Sequence, residues 1–320
     1  MPEKTVIITG GNSGLGYECA KFIARAQQDW CIVIAARSKQ KTSEAVQKLI
    51  ETNPGTQVVG LSLDLASLKS VREFITVFTS LALPPLRALV CNAGIQRVSG
   101  TTYTEDGFET TFGVNHLGHF LLVNLLLDKM AVPARIAVVS SDTHDPAQRT
   151  GMPAPQFDNA VSLAFPDSDT GSTQPMKKPL SGQQRYTTSK LCNIFFVHEL
   201  SRRMARTGLP ITANAFNPGL MPGTGLARDY TPIQRFVWNN VLPVIRPVAK
   251  HFLFINSAED SGRALARLIL DPALESVTGK YYSGMKEEPS SKESYDNTKA
   301  LELWESSVNL VKLAKEEMVL

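Results

Sequence analysis

Cysteine is scarce in this chain: Cys19, Cys31, Cys91 and Cys192 stand far apart, with no C-x-x-C pair. That spacing argues against a zinc site and against a disulfide framework. Three of the four sit in apolar surroundings of the kind that bury free thiols, which points to a reducing, cytosolic setting and no metal. Charge of one sign is scarce as well. The formal balance is only +3, and no long basic run or aromatic–basic interleaving supports a nucleic-acid partner. Lys177-Lys178 reads as a solvated turn. No apolar run reaches the ~20 residues that span a bilayer. No secretory leader is read, because strand-like Thr5-Val-Ile-Ile8 begins almost at once. Internal repeats and a clear domain boundary are lacking too. What is present, 43% apolar and 20% charged residues in a chain of 320, suffices for one large core or two ordinary ones. A cytoplasmic protein is the expectation.

Strand and helix patterns alternate from the start. Thr5 to Thr9 reads as a buried strand, and Gly10-Gly-Asn12-Ser13-Gly14-Leu15-Gly16 leads from it into a helix over Tyr17 to Arg25. A glycine turn from strand into helix lets backbone N–H groups and the helix N-terminus meet a pyrophosphate. The spacing here is G-x-x-x-G-x-G rather than G-x-G-x-x-G. A second strand, Cys31 to Ala36, ends at Arg37-Ser38. An acid at that place would hold a ribose 2′-hydroxyl, whereas arginine accommodates a 2′-phosphate, so NADP(H) is expected over NAD(H). A helix over Lys39 to Thr52 precedes a third strand, Thr56 to Leu63, which closes on Asp64-Leu65. Asp64 could bond an adenine amino group or cap the helix starting near Ser67. Leu86 to Cys91 is a fourth strand, followed by Asn92-Ala93-Gly94, whose small residues allow close approach of backbone to ligand. Asp106 to Met130 reads as one helix carrying Asn115, His116 and His119; Ala134 to Val139 is a fifth strand ending in Ser140-Ser141.

The pattern breaks over 142–184, where Pro146, Pro153, Pro155, Pro166 and Pro175 mark a long irregular insertion expected to border a site. A sixth strand, Pro210 to Phe216, ends in Asn217-Pro218-Gly219. The segment 219–252, with Phe236, Val237, Trp238, Val241 and Leu242, reads as a substrate lid; a membrane-surface helix is the alternative, disfavoured by its prolines. A helix over Ser257 to Leu270 and a last strand, Gly279 to Ser283, follow. The tail from Ser294 to Leu313 reads as a helix with Leu301, Leu303, Trp304, Val308 and Leu310 to bury. The expected fold is α/β: a doubly wound, mostly parallel sheet of about seven strands with helices on both faces, in a single domain over 1–285 with a helical tail, 286–320, packed on it.

Tyr186 and Lys190 stand four apart in Gln184-Arg-Tyr-Thr-Thr-Ser-Lys190, at the head of a helix-like run. At that spacing they share a helix face. A nearby ammonium favours the phenolate and suits the phenol for proton transfer to or from a carbonyl oxygen.

Thr9-Gly-x-x-x-Gly-x-Gly16, Asn92-Ala-Gly94, Asn115, Ser141, Tyr186-x-x-x-Lys190 and Pro218-Gly219, in that order, resemble the short-chain dehydrogenase/reductase family over nearly all of the first 285 residues. The stretches Asn115-His-Leu-Gly-His-Phe-Leu-Leu122 and Tyr186-x-x-Ser-Lys-x-Cys-Asn193 look most like the branch of retinol dehydrogenases and light-dependent protochlorophyllide reductases. The resemblance implies Tyr186 as acid/base, Lys190 lowering its pKa and bonding the nicotinamide ribose, Ser141 polarising the substrate oxygen with Ser140 as competitor, and Asn115 supporting a relay water. It places Gly10, Asn12, Ser13, Gly14, Leu15, Gly16, Arg37, Ser38, Asp64, Leu65, Asn92, Ala93, Gly94, Pro218 and Gly219 around the cofactor. A threonine is commonly found where Gly223 stands, and Thr224 is the candidate substitute. His116 and His119 are read as packed or capping residues.

The implied function is an NADP(H)-dependent oxidoreductase acting on a bulky, lipophilic carbonyl or alcohol. A light-dependent pigment reductase is the alternative. The long insertion and Thr224-Gly-Leu226 favour it, whereas Leu220, where protochlorophyllide reductases carry a cysteine, and Tyr186-Thr rather than Tyr-Lys count against it. A catalytically silent NADP(H)-binding sensor or scaffold is the third reading.

Overall fold

In the computed structural model, residues 2–26, 29–167, 179–222, 229, 236, 240 and 255–320 are described. Strands β1 (Lys4–Thr9), β2 (Trp30–Ala36), β3 (Gln57–Ser62), β4 (Leu86–Cys91), β5 (Met130–Val139), β6 (Ile211–Asn217), β7 (Tyr281–Ser283) and β8 (Lys286–Glu288) form one sheet. Its order is β3-β2-β1-β4-β5-β6-β7-β8. All pairs are parallel except β7–β8, which is antiparallel. Every residue of β2 is buried, as a strand covered on both faces must be.

Alternation along β1 divides the core. Ile7 enters one apolar cluster, with α3 (Leu68–Ser80), α5 (Gly118–Leu126) and α7 (Gly182–Thr207). Val6 and Ile8 enter the other, with α1 (Gly14–Ala26) and α8 (Ala258–Leu270). Opposite pointing of successive strand residues thus builds the two helical layers of a single domain. Helix α2 (Lys39–Thr52) covers the sheet edge beside β3. The tail helix α9 (Asn297–Leu310) lays Ala300, Leu303, Trp304 and Ser307 on α7 and α5, with the Trp304 ring 5.0 Å from Phe120 and the Arg203 guanidinium 4.6 Å above it.

Several expectations need correction. Among the described residues the sheet has the expected strands plus β8, an exposed, charged hairpin strand with no apolar alternation to betray it. The helix expected over Asp106 to Met130 starts at α4 (Thr110–Phe112), capped by Glu109, widens into a π-helical turn at Gly113–Leu117, and ends before Met130, which opens β5. The insertion carries a short helix of its own, α6 (Ala160–Ala164), capped by Asn159. Leu301 is 39% exposed, because it falls off the stripe formed by Ala300, Leu303 and Trp304. Of the expected lid, Phe236 is described and 61% exposed, while Val237, Trp238, Val241 and Leu242 lie outside the described residues, as do Thr224, Gly223 and Lys177-Lys178. No described helix is long and apolar enough to cross a membrane. All four cysteines are buried and free, and the described residues hold no metal-ligating cluster.

Candidate active site

The strand order reverses between β1 and β4, and in open α/β sheets ligands bind in the crevice outside the carboxyl ends of the strands at such a point. The glycine turn follows β1 there. Gly10 and Gly14 have φ of +63° and +54°, and a Cβ on Gly16 would lie 2.5 Å from Asn92 Nδ2 and 2.8 Å from the Gly10 carbonyl. Only glycine lets α1 begin so close to the end of β4. The first bond of α1 runs from the Tyr17 N–H to the Ser13 carbonyl, so the N–H groups of Gly14, Leu15 and Gly16 precede it, as an anion-binding turn requires.

Thr9 ties this turn to the next strand. Its hydroxyl accepts from the N–H groups of Asn92 (2.9 Å) and Ala93 (3.0 Å), and the Asn92 amide donates to the Thr9 carbonyl at 2.7 Å. At the end of β2, Arg37 is 72% exposed, with its guanidinium 4.0 Å from the Asp64 carboxylate at the end of β3. Ser38 caps α2, accepting from the Lys41 N–H. Asp64 does not cap α3, the cap being Ser67; its carboxylate instead accepts from the Ala66 N–H at 3.0 Å. Leu65 turns its side chain into the core. Across the crevice, Gly219 (φ +74°) donates its N–H to Asn217 Oδ1 at 3.0 Å, and the Pro218 carbonyl accepts from Ser261 Oγ at 2.7 Å.

Three of the expected residues, Asn115, Lys190 and Tyr186, converge beside Gly94. A Cβ placed there would sit 3.4 Å from Asn115 Oδ1 and 3.5 Å from Lys190 Nζ, and that Nζ is 5.5 Å from the centre of the Tyr186 ring. Asn115 lies in the π-helical turn, a feature frequent at functional sites. Its side chain holds the Ile95 backbone in both directions, at 2.8 and 2.9 Å, and donates to Ser189 Oγ at 3.0 Å. Ser189 in turn donates to the Tyr186 carbonyl at 2.7 Å. Lys190 is buried, donates to the Val139 carbonyl at 3.1 Å, and is pushed down to about 8 by that burial. The serine pair separates clearly. The fully buried Ser140 hydroxyl donates to the Lys190 carbonyl at 2.7 Å, pinning α7 to β5. The half-buried Ser141 hydroxyl donates to Asp142 Oδ1 at 3.0 Å.

Two further residues, to which the sequence assigned no part in the site, tie it together. Ser189 links Asn115 to Tyr186. His119, buried among apolar groups that push it down to about 4, reaches the Asn115 carbonyl with Nδ1 (3.2 Å) and the Thr9 hydroxyl with Nε2 (2.9 Å). A carbonyl only accepts, so Nδ1 carries the proton and Nε2 takes the Thr9 O–H. The glycine turn and Asn115 are thereby fixed to each other. His116, expected to be packed, is: its Nε2 meets Ser307 Oγ at 2.9 Å among aromatic rings.

Comparison with known proteins agrees with this architecture. A family model described as short chain dehydrogenase matches residues 4–151, and one described as AcuH dehydrogenase domain matches 224–320. A WW domain-containing oxidoreductase from Gallus gallus is 35% identical over 98% of this chain and 69% of its own length. The protochlorophyllide reductase of Avena sativa is 36% identical over 97% of this chain and its whole length, and human retinol dehydrogenase 13 is 35% identical over 98% and 86%. An uncharacterised protein from Mycobacterium paratuberculosis, known as a crystal structure, superposes with a TM-score of 0.69 at 28% identity, over 97% of this chain and 94% of that one.

Proposed function

This chain belongs to the short-chain dehydrogenase/reductase family, and from that premise we propose that it is an NADP(H)-dependent oxidoreductase of bulky, lipophilic carbonyls or alcohols. The observation that carries the proposal is the convergence of Tyr186, Lys190 and Asn115 on the Asn92-Ala93-Gly94 turn, at the crevice the glycine turn opens. The cofactor fits the residues present. Gly10, Asn12, Ser13, Gly14, Leu15 and Gly16 would hold the pyrophosphate, Arg37 and Ser38 the 2′-phosphate, Asp64 and the Leu65 backbone the adenine. Asn92, Ala93, Gly94, Lys190, Pro218 and Gly219 would hold the nicotinamide half. Bound there, the nicotinamide supplies or accepts the hydride.

The chain's own groups manage the proton and the substrate oxygen. Tyr186 donates its phenolic proton to that oxygen in reduction and recovers one in oxidation. The Lys190 ammonium stabilises the phenolate left behind. Ser141 turns its hydroxyl from Asp142 to the substrate oxygen, whereas the Ser140 hydroxyl is held by the Lys190 carbonyl. Asn115, fixed by Ile95 and Ser189, keeps the Lys190 side of the site open to a relay water. The retinol and protochlorophyllide in the relatives' names, both bulky apolar molecules, and the exposed Phe236 support the substrate class. Pigment reduction in light is the second reading, favoured by the full-length match to the oat enzyme and opposed by Leu220.

Cofactor choice tests the nucleotide part. The native protein binds NADPH far more tightly than NADH in a fluorescence titration, and Arg37→Asp narrows the preference by about 10- to 100-fold, as expected of charge-assisted bonds worth ~1.5–3 kcal/mol. Equal native affinities would remove Arg37 from the argument.

Proton handling gives a pH signature. With Lys190 at about 8 in the free enzyme, its ammonium is present below that pH and lost above it. In reduction, kcat/KM therefore falls as pH rises through that value, because kcat/KM reports free-enzyme groups. Lys190→Arg stays charged throughout, so its profile lacks this limb while its plateau is lower. A native profile flat well past that pH would separate Lys190 from the chemistry.

A further inference from the structure

We propose that His144 is a positioning residue, which with the serine-rich turn at 290–295 braces Ser141 against the helix that carries Tyr186. The proposal rests on the roles given above to Ser141 and Tyr186. Ser141 and Tyr186 are separated along the chain by the whole insertion, so tertiary bonds must set the one against the other. The Ser140 hydroxyl on the Lys190 carbonyl is one such bond and leaves the Ser141 loop itself to be held. Proton transfer tolerates little error in that placement.

His144 ends the single helical turn Asp142–His144 directly after Ser141 and is buried. Its Nδ1 lies 2.6 Å from the Ser141 carbonyl, and its Nε2 lies 2.9 Å from the Ser291 backbone nitrogen. A carbonyl only accepts and an amide N–H only donates, so the ring is neutral, with its proton on Nδ1. The ring also meets Tyr281 of β7 at 5.0 Å. The same turn is gripped from the other side by α7. His198, about three helical turns beyond Tyr186, directs Nδ1 at the Ser294 carbonyl at 2.8 Å and stacks on Tyr295 at 5.0 Å. Internal bonds stiffen the turn. Ser290 Oγ meets Ser294 Oγ at 2.6 Å, Ser294 Oγ donates to the Ser291 carbonyl at 2.7 Å, and the Ser290 N–H donates to the Tyr295 hydroxyl at 3.2 Å. One rigid turn thus holds the loop of Ser141 through His144 and the helix of Tyr186 through His198.

The groups facing His144 are the Ser141 carbonyl and Asp145 on its own loop, His198 from α7 and Tyr281 from β7. Burial outweighs them and holds its pKa below the ordinary histidine value. Protonation would set an N–H at Nε2 against the Ser291 N–H, a donor against a donor.

The test is a double-mutant cycle on the full chain, with NADPH and retinal or decanal as probes, combined with imidazole nitrogen NMR of the native protein. His144→Phe keeps the ring's bulk without its bonds. It should lower kcat by about 10- to 100-fold with NADPH affinity within about twofold of native. Ser141→Ala should lower kcat at least as much, and the double variant should be no worse than Ser141→Ala. Multiplied losses in the double variant, or native kcat in His144→Phe beside an impaired Ser141→Ala, would overturn the brace. Native kcat in Ser141→Ala would instead overturn the role of Ser141. By NMR, His144 should be the neutral Nδ1–H form at neutral pH; an imidazolium or an Nε2–H form there would overturn the brace whether or not any variant folds.

Discussion

Tyr186→Phe is expected to lower kcat by about 10²–10⁴-fold, the range of a lost general acid or base, while NADPH still binds. The substitution removes one oxygen and leaves the ring beside Lys190, whose Nζ lies 5.5 Å from the ring centre and is held independently by the Val139 carbonyl. The bond from Ser189 is to the Tyr186 backbone carbonyl, which the substitution leaves in place. Loss of turnover with intact binding is therefore the signature of proton transfer, whereas parallel loss of both would mean that Tyr186 serves only to shape the cleft. Stopped assays of NADPH consumption and a fluorescence titration on the same preparation distinguish the two.

Glu109→Ala is expected to cost about 3–5 kcal/mol of stability in urea unfolding, the usual consequence of breaking a buried ion pair from one side. The Glu109 carboxylate is fully buried, meets Arg185 Nε at 3.1 Å, and caps α4 by accepting from the Phe112 N–H at 2.8 Å. Its own N–H bonds the Ala164 carbonyl in the insertion at 2.8 Å. Arg185 also donates to the Leu180 carbonyl at 2.9 Å and directly precedes Tyr186. Alanine would leave a dehydrated guanidinium beside an uncapped helix, and the N-terminal turn of α7 would loosen with it. Glu109→Gln keeps the cap without the charge and should cost less than alanine. A cost under ~1 kcal/mol for the alanine variant would show that water reaches Arg185 readily.

The sheet and the frame of the site were legible because they repeat a local pattern. Apolar runs ending in glycine, asparagine or serine marked five of the central strands and the residues at their carboxyl ends, down to Arg37 and the Asn92-Ala-Gly94 turn. The residues that lock the site together were not legible. Ser189, His119 and His144 each make their bonds to a group distant in sequence, such as Asn115, Thr9 or Ser291, so no spacing encodes them. The two serines after β5 are equivalent in sequence and differ only in the burial that commits Ser140 to the Lys190 carbonyl. Boundaries failed where one pattern served two structures. The apolar run reaching Met130 continued the helix on paper, yet β5 takes Met130 as the parallel partner of Leu86. The charged β8 pairs with β7 across the two-residue turn Gly284-Met285, so its local trace is the glycine turn and not an apolar alternation.

The central claim is dark, NADP(H)-linked turnover of a lipophilic carbonyl, and the most direct measurement is product formation from retinal, a steroid ketone and decanal with NADPH deuterated at the transferable position. The account predicts an alcohol formed without light, carrying deuterium at its carbinol carbon, from at least one probe. NADPH bound with no alcohol from any probe in the dark, or turnover of protochlorophyllide in light alone, would contradict it.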